Sequence, residues 1–144
     1  MPMFNPSREE VRRFFFATWR KYRAQVPLEG LEKTALEVVL LHPEYHALLQ
    51  NEDTNIGRDF QPEGAQLNPF LHLSLHVALA EQLSIDQPAG IRALHAQLLA
   101  QAGSDHDALH QLLECLGEAV WQAQRDRAVP DDQAYLDCIR RKLR

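Results

Sequence analysis

Prolines divide this chain into segments in which apolar residues recur at the spacing of an α-helix. In the first segment, Phe14, Phe15 and Trp19 belong to a helical stripe that stops before Pro27. No segment shows sustained alternation of apolar and polar residues, and no hairpin dipeptide joins β-branched runs, so strands are not expected. These features predict an all-α fold, a single-domain compact helical bundle of six or seven helices over residues 1–144.

The helix boundaries follow from capping residues and prolines. Ser7, with Glu10 three residues on, resembles a capping box, Asn68 precedes Pro69, and Ser104 or Asp105 precedes the longest apolar pattern. Ser84 or Asp86 would cap the helix that begins at Pro88. Helices are predicted between residues 7 and 27, between 28 and 43, and over 43–50, 69–82, 88–102, 106–127 and 133–143. Residues 51–67 form one long polar loop, and loops of this length are often functional.

The composition, with 45% hydrophobic and 24% charged residues, is that of an ordinary globular domain. No apolar run reaches the roughly 18 residues that a membrane helix needs, and the N-terminus lacks the pattern of a secretory signal. Cys115 and Cys138 both lie in helical patterns. We therefore expect a bacterial-type cytoplasmic protein with reduced thiols, with a disulfide between the last two helices as the alternative.

The charge is unevenly distributed along the chain. Residues 1–27 and the C-terminal tail are basic, whereas residues 28–137 carry five basic and eighteen acidic residues. Basic terminal helices that pack beside acidic ones explain this pattern. The net charge of −5 and the lack of a glycine-rich loop argue against a nucleic-acid partner, and a homodimer is the partner that we expect.

Six of the seven histidines fall into pairs at spacing four, although about 0.3 such pairs would be expected by chance. Side chains at i and i+4 are neighbours on a helix, so both imidazoles of a pair can turn toward one metal at about 2.0–2.1 Å. The pairs are His42 with His46, His72 with His76, and His106 with His110. Three pairs in one chain indicate a common cause, and metal binding is the leading hypothesis.

The pairs differ in their surroundings. His72 and His76 lie in an apolar helix, where an unpartnered ring nitrogen costs about 1–3 kcal/mol, so a metal or a hydrogen-bonding group must satisfy them. On a helical wheel, Glu114 continues the row of His106 and His110 at the edge of the apolar stripe, as half of a mixed nitrogen and oxygen site. The pair His42 and His46 straddles a helix start.

The predicted metal site therefore has His72, His76, His106 and His110 as ligands, Glu114 as a carboxylate, and His46 and His42 next in order. The loop offers Asp53, Asp59 and Glu63 as further oxygen donors. Mixed ligands of this kind suit a divalent transition metal, Zn, Fe, Mn or Ni. An open coordination position would allow hydrolytic or redox chemistry.

Two other functions are compatible with the same residues. The chain could be an interaction or assembly module, in which the histidines are buried hydrogen-bonding groups and the N-terminal aromatic residues face a partner. It could also be an enzyme with a histidine base and Cys115 as nucleophile, although Cys115 lies about 180° from His106 on the wheel.

Five stretches, HPEYH, NPFLHLSLH, EQLSIDQPAGIR, HDALH and ECLGEAVWQAQR, together resemble an uncharacterised family, a domain of unknown function found mainly in proteobacteria. The resemblance extends from FNPSREEVRRFF to DDQAYLDCIRR and implies no particular reaction. In style, the HxxxH pairs and His110 with Glu114 are also similar to hemerythrin-like and DinB-like bundles. That similarity implies one or two metals held between facing helices.

Overall fold

The computed structural model describes residues 8–58 and 68–144, which form eight α-helices and one short 3-10 helix, Pro43–Tyr45. The α-helices are α1 Arg8–Arg23, α2 Leu31–Leu40, α3 His46–Gln50, α4 Glu52–Asn55, α5 Pro69–Ile85, α6 Ile91–Ala102, α7 Asp105–Asp126 and α8 Asp132–Lys142. No strand occurs in these residues, so the predicted all-α class is confirmed. Among them, no helix has both the length and the apolar character needed to cross a membrane.

The helix count exceeds the predicted six or seven because α4 forms inside the segment expected to be a loop. The amide Nδ2 of Asn55 donates to the carbonyl oxygens of Leu48 and Asn51, both at 3.0 Å, and fixes this single turn against the end of α3. Residues 59–67, including Asp59 and Glu63, lie outside the described residues, as does the predicted cap Ser7.

Two predicted N-caps are confirmed. Asn68 Oδ1 accepts from the backbone N–H of Phe70 at 2.9 Å, and Ser104 Oγ accepts from that of Asp107 at 3.2 Å. The start of α6 was predicted three residues too early. Asp86 accepts from the N–H groups of Gly90 at 3.3 Å and Arg92 at 3.0 Å, so the segment before Ile91 forms a turn. The same two bonds hold the pKa of Asp86 below its usual value.

The chain consists of two compact units, Met1–Val77 and Ala78–Arg144, which we call the first unit and the second unit. The prediction of a single domain over 1–144 stays a prediction. In the first unit, α1 packs against α2 and α3, and the aromatic face of α1 supplies much of the core. The buried core residues of this unit are Phe15, Phe16, Trp19, Ala35, Val38, Val39, Leu49, Phe70, Leu73 and Val77.

In the second unit, α7 packs against α6 and α8, and α6 and α8 also contact each other. Leu112, Leu113 and Leu116 of the predicted stripe on α7 are buried, together with Leu98 of α6 and Ile139 of α8. Burial of a leucine or isoleucine side chain stabilises a fold by about 1.5–3 kcal/mol, so these contacts account for much of the stability of this unit.

The prediction of reduced thiols is wrong, because Cys115 and Cys138 form a disulfide between α7 and α8. Their Cα atoms lie 5.8 Å apart, within the usual range for a disulfide. Reduced thiols were predicted from the expected cytoplasmic location, and the sequence did not show that α7 and α8 pack with the two cysteines facing each other. The face of α7 that carries Cys115 is the face that α8 covers, so Cys115 is also not available as a free nucleophile.

Tyr135 of α8 should make the protein less stable at alkaline pH. This buried phenol donates to Gln82 Oε1 at 2.7 Å, and its pKa is raised from 10.0, first by burial and then by the nearby charge of Asp132. The unfolded chain releases this proton at pH values where the folded chain retains it. The contribution of Tyr135 to the free energy of unfolding is therefore complete below pH 10. It is lost as the pH rises toward the pKa of Tyr135 in the folded protein.

Urea unfolding at about pH 8 and at about pH 10.5 gives the free energy of unfolding at each pH. We expect this free energy to fall less between the two pH values for Tyr135→Phe than for the wild type. The phenylalanine keeps the packed ring and removes only the ionisable group. At pH 8 the variant should lose about 1 kcal/mol with the hydrogen bond. Parallel pH profiles for the two proteins would contradict this assignment.

Candidate metal centre

His42 lies two residues beyond the end of α2, and its ring is buried. Its Nδ1 lies 3.0 Å from the carbonyl oxygen of Val38, in the last turn of α2. A carbonyl only accepts hydrogen bonds, so Nδ1 carries the proton and donates. In the neutral ring the lone pair is then on Nε2. This is the arrangement found for metal-binding histidines, where a carbonyl or carboxylate fixes the tautomer and the ring orientation.

The imidazoles of His72 and His76 on α5 lie beside His42 in the first unit. The Nε2 atoms of His42 and His72 are 3.1 Å apart. The ring centroids of His72 and His76 are 4.8 Å apart, and that of His76 lies 4.7 Å from that of His42. The contact between His42 and His72 brings together side chains that are 30 residues apart in the chain.

The spacing of these nitrogens is compatible with coordination of a metal. Two ligands at about 2.0–2.1 Å from a tetrahedral ion are about 3.4 Å from each other, close to the observed 3.1 Å between His42 and His72. Ligand atoms of His42 and His76 lie within 4.8 Å of one another. A hydrogen bond between His42 and His72 would also give the 3.1 Å separation, so the distance supports both arrangements.

Tyr45 forms one wall of this cluster. Its ring stacks on His42 with centroids 5.5 Å apart and an angle of 8° between the planes. Burial raises the pKa of the Tyr45 phenol, and the charge of Glu44 raises it further, so the hydroxyl keeps its proton at neutral pH. The wall is therefore neutral and half-buried, and it limits the access of water to the His42 ring.

His46 and His42 were predicted as a pair, but their rings make different contacts. His46 Nε2 donates to the carbonyl oxygen of Val39 at 3.0 Å, and its ring packs on Trp19 with centroids 4.5 Å apart. The 3-10 turn at Pro43 separates the two histidines, so they do not have the i, i+4 relation of a regular helix.

In the second unit, His106 and His110 are neighbours on α7, as the spacing predicted. Their ring centroids are 4.2 Å apart, both side chains are half-buried, and their ligand atoms lie within 4.8 Å of one another. The N-cap at Ser104 starts the helix just before them, so both residues sit in its first two turns.

The predicted carboxylate ligands are placed differently. The side chain of Glu114 is 61% exposed and pairs with Lys142 of α8 at 3.3 Å, so it does not continue the row of His106 and His110 into the interior. Asp53 is exposed on α4.

The seventh histidine, His95, pairs with Asp105 at 2.9 Å. Among the described residues, each unit contributes histidines that could ligate a metal ion: His42 and His76 in the first unit, and His106 and His110 in the second.

Sequence reasoning ranked His42 last among the candidate ligands. A signal for it was present, because a histidine two residues after a helix can turn its Nδ1 back onto the carbonyl four residues earlier. No such signal existed for its contact with His72, which depends on tertiary packing.

The fold is all-α, and its buried and half-buried histidines could bind a metal ion. The chain belongs to the DUF1841 family, a domain of unknown function, which matches residues 7–141. Neither a curated protein nor a solved structure matches the chain.

Proposed function

We propose that this protein binds a divalent transition metal ion through histidine nitrogens. The candidate ligands are His42 and His76 of the first unit and His106 and His110 of the second. The observation that carries the proposal is the arrangement of His42, a buried ring whose Nδ1–H donates to Val38 and whose Nε2 is thereby fixed as the atom with the lone pair.

The donor set favours certain metals. Imidazole nitrogens, the ligand atoms that these candidates offer, suit Zn, Cu, Fe and Ni. A bound ion with an open position would lower the pKa of a coordinated water and supply a Lewis acid.

The first experiment measures metal binding by the purified full chain. Protein stripped with a chelator and dialysed is titrated with Zn²⁺ or Co²⁺, and bound metal is counted by elemental analysis. We expect a stoichiometric complex and an increase in melting temperature, because an ion that binds only the folded chain stabilises it. Intense visible absorption of the Co²⁺ complex would indicate four-coordinate binding. Identical melting with metal and with chelator would refute the proposal.

Substitutions then test the ligands. His42→Ala should weaken binding by at least about 100-fold, since loss of a mere hydrogen-bond partner of a ligand already costs about 10–100-fold. His106→Ala should have a similar effect on the ion that it ligates. His95→Ala is the matched control, because His95 is a half-buried histidine on α6 that pairs with Asp105 instead. The number of ions lost in each variant shows which of these histidines ligates a bound ion.

A second function, an interaction module with hydrogen-bonded histidines, is favoured by the 3.1 Å contact between His42 and His72. In that case His72→Ala would destabilise the protein equally with and without metal. Light scattering after size exclusion would then reveal the homodimer that such a module predicts.

A further inference from the structure

The disulfide of the second unit opens onto a cavity of about 350 Å³ formed by α7, α8 and the segment between them. Both Cys115 and Cys138 line this cavity, and its volume lies within the range of small-molecule sites. We propose that the cavity is a thiol–disulfide exchange site, at which a small cationic thiol attacks Cys138.

The two cysteines differ in exposure. Cys115 is 1% exposed, whereas Cys138 is half-buried on α8. A thiolate must approach along the line of the S–S bond, from the side opposite the leaving sulfur. Both cysteines line the cavity, and the greater exposure of Cys138 makes it the expected site of attack.

The exchange proceeds in two steps. The thiolate RS⁻ forms a bond to Cys138 Sγ, the bond between Cys115 and Cys138 breaks, and the electron pair leaves on Cys115 Sγ, which takes a proton from solvent. A second thiolate attacks the R sulfur of the mixed disulfide and releases Cys138 as a thiolate. In total, two RSH are oxidised to RSSR and the protein disulfide is reduced to two thiols.

Charge around the cavity favours a cationic thiol. Glu118, Asp126 and Asp131 line it, against the single guanidinium of Arg141. Arg125 pairs with Asp126 at 3.2 Å and neutralises part of this charge, and the remaining lining is net negative. Clefts lined by one sign of charge raise the local concentration of the opposite ion, by about tenfold at the low end of the known range.

The first test compares the reduction of the wild-type disulfide by cysteamine, which is cationic, and by glutathione, which is anionic. Each rate is divided by the rate of the same thiol with a small neutral disulfide, which removes the intrinsic difference in reactivity. At low salt we expect cysteamine to be about tenfold faster, and this preference should nearly vanish at about 1 M salt, where the screening length is about 3 Å. The double variant E118Q/D126N should also lose the preference at low salt.

A matched pair of variants tests which sulfur is accessible. Cys115→Ala and Cys138→Ala each lack the disulfide and keep one thiol, and circular dichroism verifies that both remain helical. With cystamine, the thiol of Cys138 in the first variant should form a mixed disulfide at least about ten times faster than that of Cys115 in the second, as seen by intact mass. Equal rates for the two thiols, or glutathione as fast as cysteamine at low salt, would overturn the proposal.

Discussion

Reduction of the disulfide between Cys115 and Cys138 should lower the free energy of unfolding of the second unit by about 3 kcal/mol. The bond closes a loop with a sequence separation of 23, and the restriction that it places on the unfolded chain accounts for a loss of this size. The effect should be confined to the second unit, where both cysteines lie. Urea unfolding of the oxidised and reduced protein, followed by fluorescence, measures it.

The chain allows each unit to be observed separately, because its two tryptophans, Trp19 and Trp121, lie in different units. In a Trp19→Phe background, Trp121 on α7 reports the helix that carries Cys115. In a Trp121→Phe background, Trp19 reports the core of the first unit. The reporter variant is present in both the oxidised and the reduced sample, so its own cost cancels.

The double variant C115A/C138A is the control for the cross-link. The reduced wild type loses only the bond, whereas the double variant also loses two sulfur atoms, one of them buried. We expect the double variant to be less stable than the reduced wild type by about 1 kcal/mol, from the cavity that the alanine at 115 leaves. Coincident unfolding of oxidised and reduced protein would show that the bond contributes nothing.

Local signals along the sequence were enough to predict most helices. The cap at Ser104 and the leucine stripe of α7 depend on residues within a few positions of each other, and both are confirmed. The start of α6 was misplaced because Asp86 accepts from Arg92, six residues on, and this bond competes with a helix that would begin at Pro88. A single turn such as α4 leaves too short a pattern to recognise.

The candidate site was predictable only as separate pairs. Spacing placed His106 next to His110 and His72 next to His76, which the structure confirms. The contact between His42 and His72 depends on the packing of α5 beside the end of α2 and has no local signal. A wheel placed Glu114 at the edge of the core, but in the folded chain its side chain is 61% exposed and pairs with Lys142 of α8.

The buried Arg12 was also missed, because arginines were counted as surface charge. It lies on the same side of α1 as Phe16 and Trp19, at i+4 and i+7, and it is 1% exposed. Its Nη1 donates to the carbonyl oxygens of Asn55, Ile56 and Arg58 at 3.2, 3.0 and 2.7 Å. Its guanidinium carbon lies 4.8 Å from the centre of the Phe70 ring at the start of α5.

Arg12→Met should therefore lower the free energy of unfolding of the first unit by about 3 kcal/mol, measured through Trp19 in the Trp121→Phe background. Methionine fills similar space but removes the donor on which the three carbonyl oxygens depend. Arg13→Met is the matched control, since Arg13 is 64% exposed and pairs with Glu9 on its own helix, so its loss should cost at most about 0.5 kcal/mol.

The two variants remove the same charge from adjacent positions of α1, so the difference in their free energies of unfolding measures the effect of burial and of the hydrogen bonds to α4. Replacement of a buried ion pair by apolar residues is often neutral, because both charged groups and their desolvation costs disappear together. In Arg12→Met the guanidinium disappears, and the carbonyl oxygens at the end of α4 that accepted from it stay where they are. If Arg12→Met were as stable as Arg13→Met, water must reach those oxygens, and α4 would not depend on α1 for its hydrogen bonds.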